Sequence, residues 1–251
     1  MQPNHDSNQD NLDYLHYLDY PDNQNSQDND PNLVMTAVLP GLFISTSNAA
    51  PSTPILKTNK ITAVLFLTED STNRAWAKAA GIPDSRCKWI PLEGCPTQDL
   101  LKHFATICDF IESVAPKSLK WSYSLSQLED RQDWDTDEAV LVHSSVGQLV
   151  AVAAVAAFIM RKYGVLRDQT LRFVQSSSKV RMDEYYSRQL QIWAQVGWRV
   201  WEEEKMGRKI PKAPYEEFLV GLVTALMVEA SIGHIIHGSH VRGVKRDRGR
   251  C

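Results

Sequence analysis

The stretch "AVLVHSSVGQLVAVAAVAAFIMRKYG", residues 139–164, decides the fold prediction. Its first residues, Ala139 to Val142, are all apolar, which is typical of a buried strand. Residues 149–163 are apolar almost all round, which predicts a helix at the centre of the molecule. The polar turn between strand and helix contains one glycine, Gly147. This order of elements presents backbone amides at a helix N-terminus, where they suit an anion.

Further strands are predicted upstream of this stretch. The segment "VMTAVLPGLFIST" (34–46) indicates two short strands broken at Pro40-Gly41, "ITAVLFLT" (61–68) a buried strand, and "CKWIPL" (87–92) another. Strands followed by a helix-rich second half predict an α/β fold, in which helices pack on the faces of a sheet.

Helices are predicted from apolar residues spaced by three and four positions. The residues from Leu100 to Val114 follow this spacing, and Pro116 ends the pattern. Residues 71–83 favour a helix with Ser71 or Thr72 as N-cap and Gly81 as its stop. Residues 47–59 are compatible with a short helix or a loop. Further helices are predicted at 149–163, about 167–176, about 183–206 and about 215–236.

The composition excludes several classes of protein. The chain has 251 residues, 43% hydrophobic and 23% charged, with a net charge of -3, so no nucleic-acid or membrane partner is expected from overall charge. The cysteines lack the spacing of a zinc module or of a disulfide framework: Cys87, Cys95, Cys108 and Cys251. Neither a secretory signal nor a transit peptide is visible. The expected location is cytoplasmic and/or nuclear.

The chain is predicted to have three parts. Residues 1–31 have no Lys or Arg and are read as a disordered acidic tail, in which "LDYLHYLDYP" (12–21) is either a short partner-binding element or solvated. Residues 32–206 form the domain, with an exposed insertion at 116–138. Residues 207–251 form a C-terminal helix and a basic tail.

The C-terminal part raises two alternatives to a docking helix. Its apolar centre, Phe218 to Val228, is too short to span a bilayer, and Glu229 interrupts its extension. Histidines recur every three residues, but no carboxylate or cysteine completes a metal-ligand set with them: His234, His237 and His240. No metal and no cofactor are therefore expected.

Several motifs resemble those of the dual-specificity phosphatases, part of the cysteine-dependent protein tyrosine phosphatase superfamily. The motif "VLVHSSVGQLVA" is similar to the family pattern V-L-V-H-C-x-x-G-x-x-R-[ST]. The segments "LPGLFISTSNAA", "ITAVLFLT" and "WIPLEGCPTQDLLKHFATICDFI" are similar to the opening strands and to the segment that carries the family's general acid. The resemblance covers about residues 36–200. It implies a phosphatase-like central mixed sheet of about five strands, flanked by helices on both faces.

The resemblance also implies where a catalytic site would lie. At each of the family's three catalytic positions, this chain has a residue without the required side chain. Ser144 stands at the position of the nucleophilic cysteine, Val150 at that of the phosphate-binding arginine, and Gly94 at that of the acid. Glu93 and Asp99 are close by in sequence, but either could replace the acid only after a rearrangement of the loop. His143 corresponds to a histidine that supports the loop. No catalytic residue is therefore expected.

Two readings of the loop stay open at this point. Its backbone amides can still form a weak anion-binding loop, formed by His143, Ser144, Ser145, Val146, Gly147, Gln148, Leu149 and Val150. Alternatively, the loop is only a connection from strand to helix lined by apolar side chains, which we favour because the charged phosphate clamp is missing.

The predicted function is that of a pseudophosphatase, a catalytically inactive dual-specificity-phosphatase-like protein that acts as a protein-binding or scaffold module. Its partner would be a protein, phosphorylated or not, bound through the insertion, the acidic tail or the C-terminal helix. The alternative is a protein tyrosine/serine/threonine phosphatase with residual or atypical phosphate-ester hydrolysis through Ser144. A serine needs a base to become a comparable nucleophile, and the sequence indicates no relay for it.

Overall fold

A computed structural model describes residues 35–45, 52–69, 73–95, 97–120, 124, 136–202, 209–224 and 227. The chain divides into two units. The larger spans Asn29–Lys212, and the smaller contains the helix at 213–224.

The larger unit is built on one mixed sheet of five strands. The strands are β1 (Thr36–Leu39), β2 (Leu42–Ser45), β3 (Ile61–Leu67), β4 (Cys87–Ile90) and β5 (Ala139–Ser144). Their order across the sheet is β1-β2-β5-β3-β4. The β1–β2 pair is antiparallel, and all the other pairs are parallel. The α/β class and the mixed sheet of about five strands expected from the sequence are confirmed.

Helices connect and cover these strands. In the described part of the chain they are α1 (Thr53–Thr58), α2 (Asn73–Ala79), α3 (Phe104–Val114), α4 (Lys117–Lys120), α5 (Gln148–Tyr163), α6 (Arg167–Ser178), α7 (Glu184–Gln195) and α8 (213–224). Short 3₁₀ turns precede β4 and α3, at Asp84–Arg86 and Leu101–His103.

The two faces of the sheet are both covered. Val64 and Phe66 of β3 belong to one core cluster that also contains residues of α1 and α2. Side chains alternate along a strand, so Leu65 points to the opposite face, where it is 0% exposed. Helices α3 and α5 pack against the strands as well. Strand β5 is the middle strand of the sheet, and α5 follows it directly in the chain. The loop between them therefore lies at the carboxyl edge of the parallel strands.

The structure corrects one helix boundary and sharpens others. The helix predicted to run to residue 206 ends at Gln195, because Gly197 and Trp198 both adopt positive φ angles, of 63° and 68°. The apolar residues beyond it, which suggested a longer helix, lie in a turn and an irregular segment. The residues before Phe104 form a 3₁₀ turn rather than an α-helix. Residues 47–59 include α1, one of the two options left open.

Several predictions concern residues outside the described ranges and stay predictions. These are the acidic tail at 1–31, the N-cap at Ser71 or Thr72, most of the insertion at 116–138, and the histidines beyond residue 233. The predicted C-terminal helix is described over 213–224 only. Within the described residues, no helix has the length and apolar character needed to cross a lipid bilayer.

Candidate functional site

The loop between β5 and α5 is short and turns at one glycine. Strand β5 ends at Ser144, residues 145 and 146 bend, and α5 begins at Gln148 after Gly147. Gly147 precedes the helix with φ 132° and ψ 153°, a conformation that side-chain-bearing residues rarely adopt. The amides of the first turn of a helix of 16 residues therefore follow the strand end directly, as the sequence predicted.

His143 holds the strand end in place. Its ring is 1% exposed, and its Nδ1 atom lies 2.7 Å from the hydroxyl oxygen of Ser45 on the neighbouring strand. The rings of Trp76 and Phe66 approach it edge to face, with centroids at 5.6 Å and 6.1 Å. Burial lowers the pKa of His143 to about 4, so the ring is neutral at pH 7. It serves the loop as a packed, hydrogen-bonded support.

We expect His143→Asn to flatten the dependence of stability on pH. The folded pKa of about 4 lies below the usual 6.5, so the unfolded chain binds the proton first as the pH falls. Between pH 6.5 and 4 the wild type should lose about 3 kcal/mol through this group, at about 1.4 kcal/mol per pKa unit. Denaturant unfolding across this pH range measures the difference. Parallel profiles for wild type and variant would contradict the assignment.

Ser144 lies at the base of the loop and is closed off from solvent. It is 0% exposed, and none of the described residues hydrogen-bonds its hydroxyl oxygen. The adjacent His143 is engaged with Ser45, and Ser145 hydrogen-bonds the hydroxyl of Thr68. In the described part of the chain no base is placed to take a proton from Ser144. The hydroxyl therefore stays a weak, inaccessible nucleophile.

Apolar side chains line the helical side of the loop. Val150, in the first turn of α5, is 3% exposed and has no hydrogen-bond donor in its side chain. Val146 and Leu149 are half-buried. The position that the family resemblance assigns to a phosphate-binding arginine thus belongs to the core of this chain.

Gly94 faces this loop from the segment after β4. Its φ is 69°, and a Cβ atom at this position would lie 3.1 Å from both Cβ and Cγ1 of Val146. The structure therefore brings the predicted acid position and the predicted anion loop together. A carboxylate side chain at residue 94 would require a strained backbone and a shift of Val146.

The acidic neighbours of Gly94 are arranged for other roles. Asp99 is 6% exposed, and its Oδ1 accepts a hydrogen bond from the amide of Lys102 at 3.3 Å. Glu93 is exposed, and its backbone amide donates to Oε1 of Gln98 at 3.0 Å. These contacts fix the backbone of the segment and place neither carboxylate as an acid.

A glutamine that the sequence analysis missed fixes the same segment to α7. The Oε1 atom of Gln189 accepts from the amides of Leu100 and Leu101 at 2.9 Å and 2.8 Å. Its Nε2 atom donates to the carbonyl of Gln98 at 3.1 Å. Gln189 is 0% exposed. The segment that carries Gly94 is therefore anchored by one buried amide, and only the separation of about 90 residues hid this from sequence reasoning.

Two thiols are unsuited to replace the missing nucleophile. Burial raises the pKa of Cys87 to about 11 and that of Cys108 to about 12. Both are protonated at neutral pH, and the thiolate is the reactive form. Among the described residues, no group of His, Cys, Asp and Glu side chains is arranged to hold a metal ion.

No protein-family model and no curated protein matches this sequence. The chain is similar to the solved structure of human DUSP28, with 20% identity, 65% of this chain and 94% of that chain covered, and a TM-score of 0.49. It is also similar to the Yvh1 phosphatase domain from Chaetomium thermophilum, with 21% identity, coverage of 62% and 92%, and a TM-score of 0.48. The human tyrosine phosphatase-like serine/threonine/tyrosine-interacting protein has 19% identity, coverage of 64% and 96%, and a TM-score of 0.46. These likenesses concern the fold.

Proposed function

We propose that this chain is a catalytically inactive dual-specificity-phosphatase-like protein, a pseudophosphatase, that acts by binding a protein partner. The observation that carries the proposal is the state of Ser144, which is 0% exposed and has no base beside it among the described residues. A hydroxyl in this position can neither reach a phosphorus atom nor be activated to attack it.

The expected costs of the missing catalytic groups support inactivity rather than slow turnover. Removing one well-placed transition-state donor costs about 3 kcal/mol, and a valine in place of a bidentate arginine removes at least that. The loss of a general acid lowers a rate by a further factor of about 10² to 10⁴. Three independent losses at Ser144, Val150 and Gly94 leave nothing in the loop that would stabilise the transition state of phosphate-ester hydrolysis.

Binding of a protein is supported by what the fold retains. The sheet, the buried α5 and the hydrogen bonds of His143 and Gln189 hold the loops in place without any catalytic need. Loops at the carboxyl edge of a parallel sheet are a usual place for recognition. We propose a partner in the cytoplasm or nucleus that contacts this edge, whether or not it is phosphorylated.

We expect the purified chain to hydrolyse p-nitrophenyl phosphate and phosphotyrosine peptides at the rate of buffer alone. Ser144→Ala should behave as the wild type, because the buried hydroxyl takes no part. Phosphate release over long incubation measures this, with an active dual-specificity phosphatase as positive control. Hydrolysis by the wild type that disappears in Ser144→Ala would establish the alternative function, an atypical serine-based phosphatase.

A further inference from the structure

An open cavity of about 350 Å³ lies at the amino ends of strands β3, β4 and β5. Its lining residues stand at or just before the start of these strands and just after the end of α2, among them Ile61, Thr62, Ala80, Ile82, Arg86 and Glu138. Strand β5 separates this cavity from the β5–α5 loop, and its six residues span about 20 Å. The cavity is therefore distinct from that loop.

The floor of the cavity is apolar and belongs to the core. Ile61 and Ile82 are 6% and 5% exposed, and both are members of the core cluster that contains residues of α1 and α2. Ala80 packs against the same cluster. Binding sites for organic ligands are lined mainly by apolar side chains, with a few polar groups that orient the ligand. This floor therefore suits an apolar group of a ligand.

Arg86 forms a polar wall of the cavity and is fixed by its hydrogen bonds. Its Nε atom donates to the carbonyl of Thr62 at 2.9 Å, and its Nη2 atom donates to the hydroxyl oxygen of Thr62 at 2.8 Å. The pairing of β3 with β5 shifts register at Thr62, between Ile61 and Ala63. Such irregularities re-aim side chains and recur beside functional sites. The guanidinium is therefore held in one orientation at the wall.

Arg86 and Glu138 keep open hydrogen-bonding atoms at this wall. The Nη2 atom of Arg86 lies 3.1 Å from Oε2 of Glu138, and the two side chains are 30% and 48% exposed. Among the described residues, none accepts from Nη1 of Arg86 and none donates to Oε1 of Glu138. The wall therefore offers a ligand two N–H donors and one carboxylate oxygen.

The pair of Arg86 and Glu138 selects the chemistry of the ligand. Its charges balance, so a carboxylate ligand meets the negative charge of Glu138 and an ammonium ligand meets the positive charge of Arg86. A neutral amide has a carbonyl that accepts from Arg86 and an N–H that donates to Glu138. An amide beside an apolar group is the repeating unit of a polypeptide with apolar side chains.

We propose that this cavity binds a neutral polypeptide segment of a protein partner. One apolar side chain of the segment lies on Ile61 and Ile82, and the adjacent amide lies between Arg86 and Glu138. The volume of about 350 Å³ is near the lower end of ligand sites, about 300 to 1,000 Å³, so the cavity takes one side chain rather than a long segment. The site is independent of the β5–α5 loop, so neither its presence nor its failure changes the catalytic state of Ser144.

The test is a titration of the isotope-labelled full chain with N-acetyl-leucinamide, followed in its amide NMR spectrum. This probe has the apolar side chain and the two amides of one capped residue, and we expect a Kd on the order of 1 mM. The amides of Ile61, Thr62 and Ile82 should shift most. Two probes should each bind about tenfold more weakly: N-acetyl-glycinamide, which lacks the side chain, and N-acetyl-leucine, which has a carboxylate in place of one amide. Acetyl-Ala-Leu-Ala-amide should bind at least as tightly as N-acetyl-leucinamide, because the proposed ligand is a polypeptide.

Glu138→Gln should remove the discrimination against the carboxylate, so that N-acetyl-leucine binds this variant about as tightly as N-acetyl-leucinamide does. The matched control is Glu112→Gln, the same change at a glutamate outside the cavity that also pairs with an arginine. Its Oε2 atom lies 3.4 Å from Nη2 of Arg161, and its side chain is 55% exposed. It should leave the ratio of the two affinities unchanged. Ala80→Leu places a larger side chain at the cavity and should weaken the binding of N-acetyl-leucinamide about tenfold.

An absence of shifts at the cavity, equal binding of the three single-residue probes, or failure of the tripeptide to bind would overturn the proposal. So would a Glu112→Gln variant that changes the ratio of affinities as much as Glu138→Gln does. The spectrum of Ala80→Leu away from the cavity checks that this variant is folded. Binding at the wild-type level by folded Ala80→Leu would place the probe elsewhere on the protein.

Discussion

Replacing Gln189 by leucine is expected to lower the free energy of unfolding by about 3 kcal/mol or more. Leucine has a similar volume but can satisfy neither the amides of Leu100 and Leu101 nor the carbonyl of Gln98. Each buried polar group left without a partner costs about 1 to 3 kcal/mol. Denaturant unfolding measures the loss, and hydrogen exchange at the two leucine amides should become faster.

The matched control for this substitution lies two residues along the same helix. Gln191 is exposed, and its side chain accepts a hydrogen bond from Arg167. Gln191→Leu should change the unfolding free energy by no more than about 0.5 kcal/mol. If both variants unfold alike, the hydrogen bonds of Gln189 contribute nothing to stability, and the segment around Gly94 is held by packing alone.

The sheet and its central helix were predictable because buried segments have long apolar runs in the sequence. Strand β3 and helix α5 are apolar almost all round, and most of their side chains are buried. The end of α7 was not predictable from the apolar pattern. Val196 and Trp198 continue the apolar spacing, but Gly197 and Trp198 turn the backbone to positive φ. Apolar periodicity reports which side chains are buried and does not report whether the backbone between them is still helical.

The sequence predicted the loop between strand and helix and named His143 as its support, but it did not predict which residues that support contacts. The motif located Ser144 and Val150, and counting along the chain located Gly94, which the structure places against Val146. The hydrogen bond between His143 and Ser45 joins residues 98 positions apart. Ser45 carries no local signal, since a buried serine and a surface serine look the same in one sequence.

Replacing Val150 by arginine, the residue at the matching position of the family pattern, is expected to lower the free energy of unfolding by about 3 kcal/mol or more. Val150 is 3% exposed, so the substitution forces a longer side chain and its charge into the core, where burying a charge is costly. Val150→Met separates the two causes, because it adds length without charge and should cost about 1 to 3 kcal/mol. Gln148→Arg, at an exposed position in the same turn, should be nearly neutral.

A phosphate titration of this variant distinguishes an anion-binding loop from a simple connection between strand and helix. If the amides after Ser144 still form an anion cradle, phosphate should bind the Val150→Arg variant and stabilise it in proportion to the logarithm of its concentration. We expect no stabilisation beyond that produced by the same ionic strength of chloride, because position 150 is buried and the apolar side chain of Val146 lies against Gly94 beside the loop. A phosphate-specific increase in stability, or a Val150→Arg variant more stable than Val150→Met, would contradict this expectation. It would show that the loop still binds anions although the family's side chains are missing.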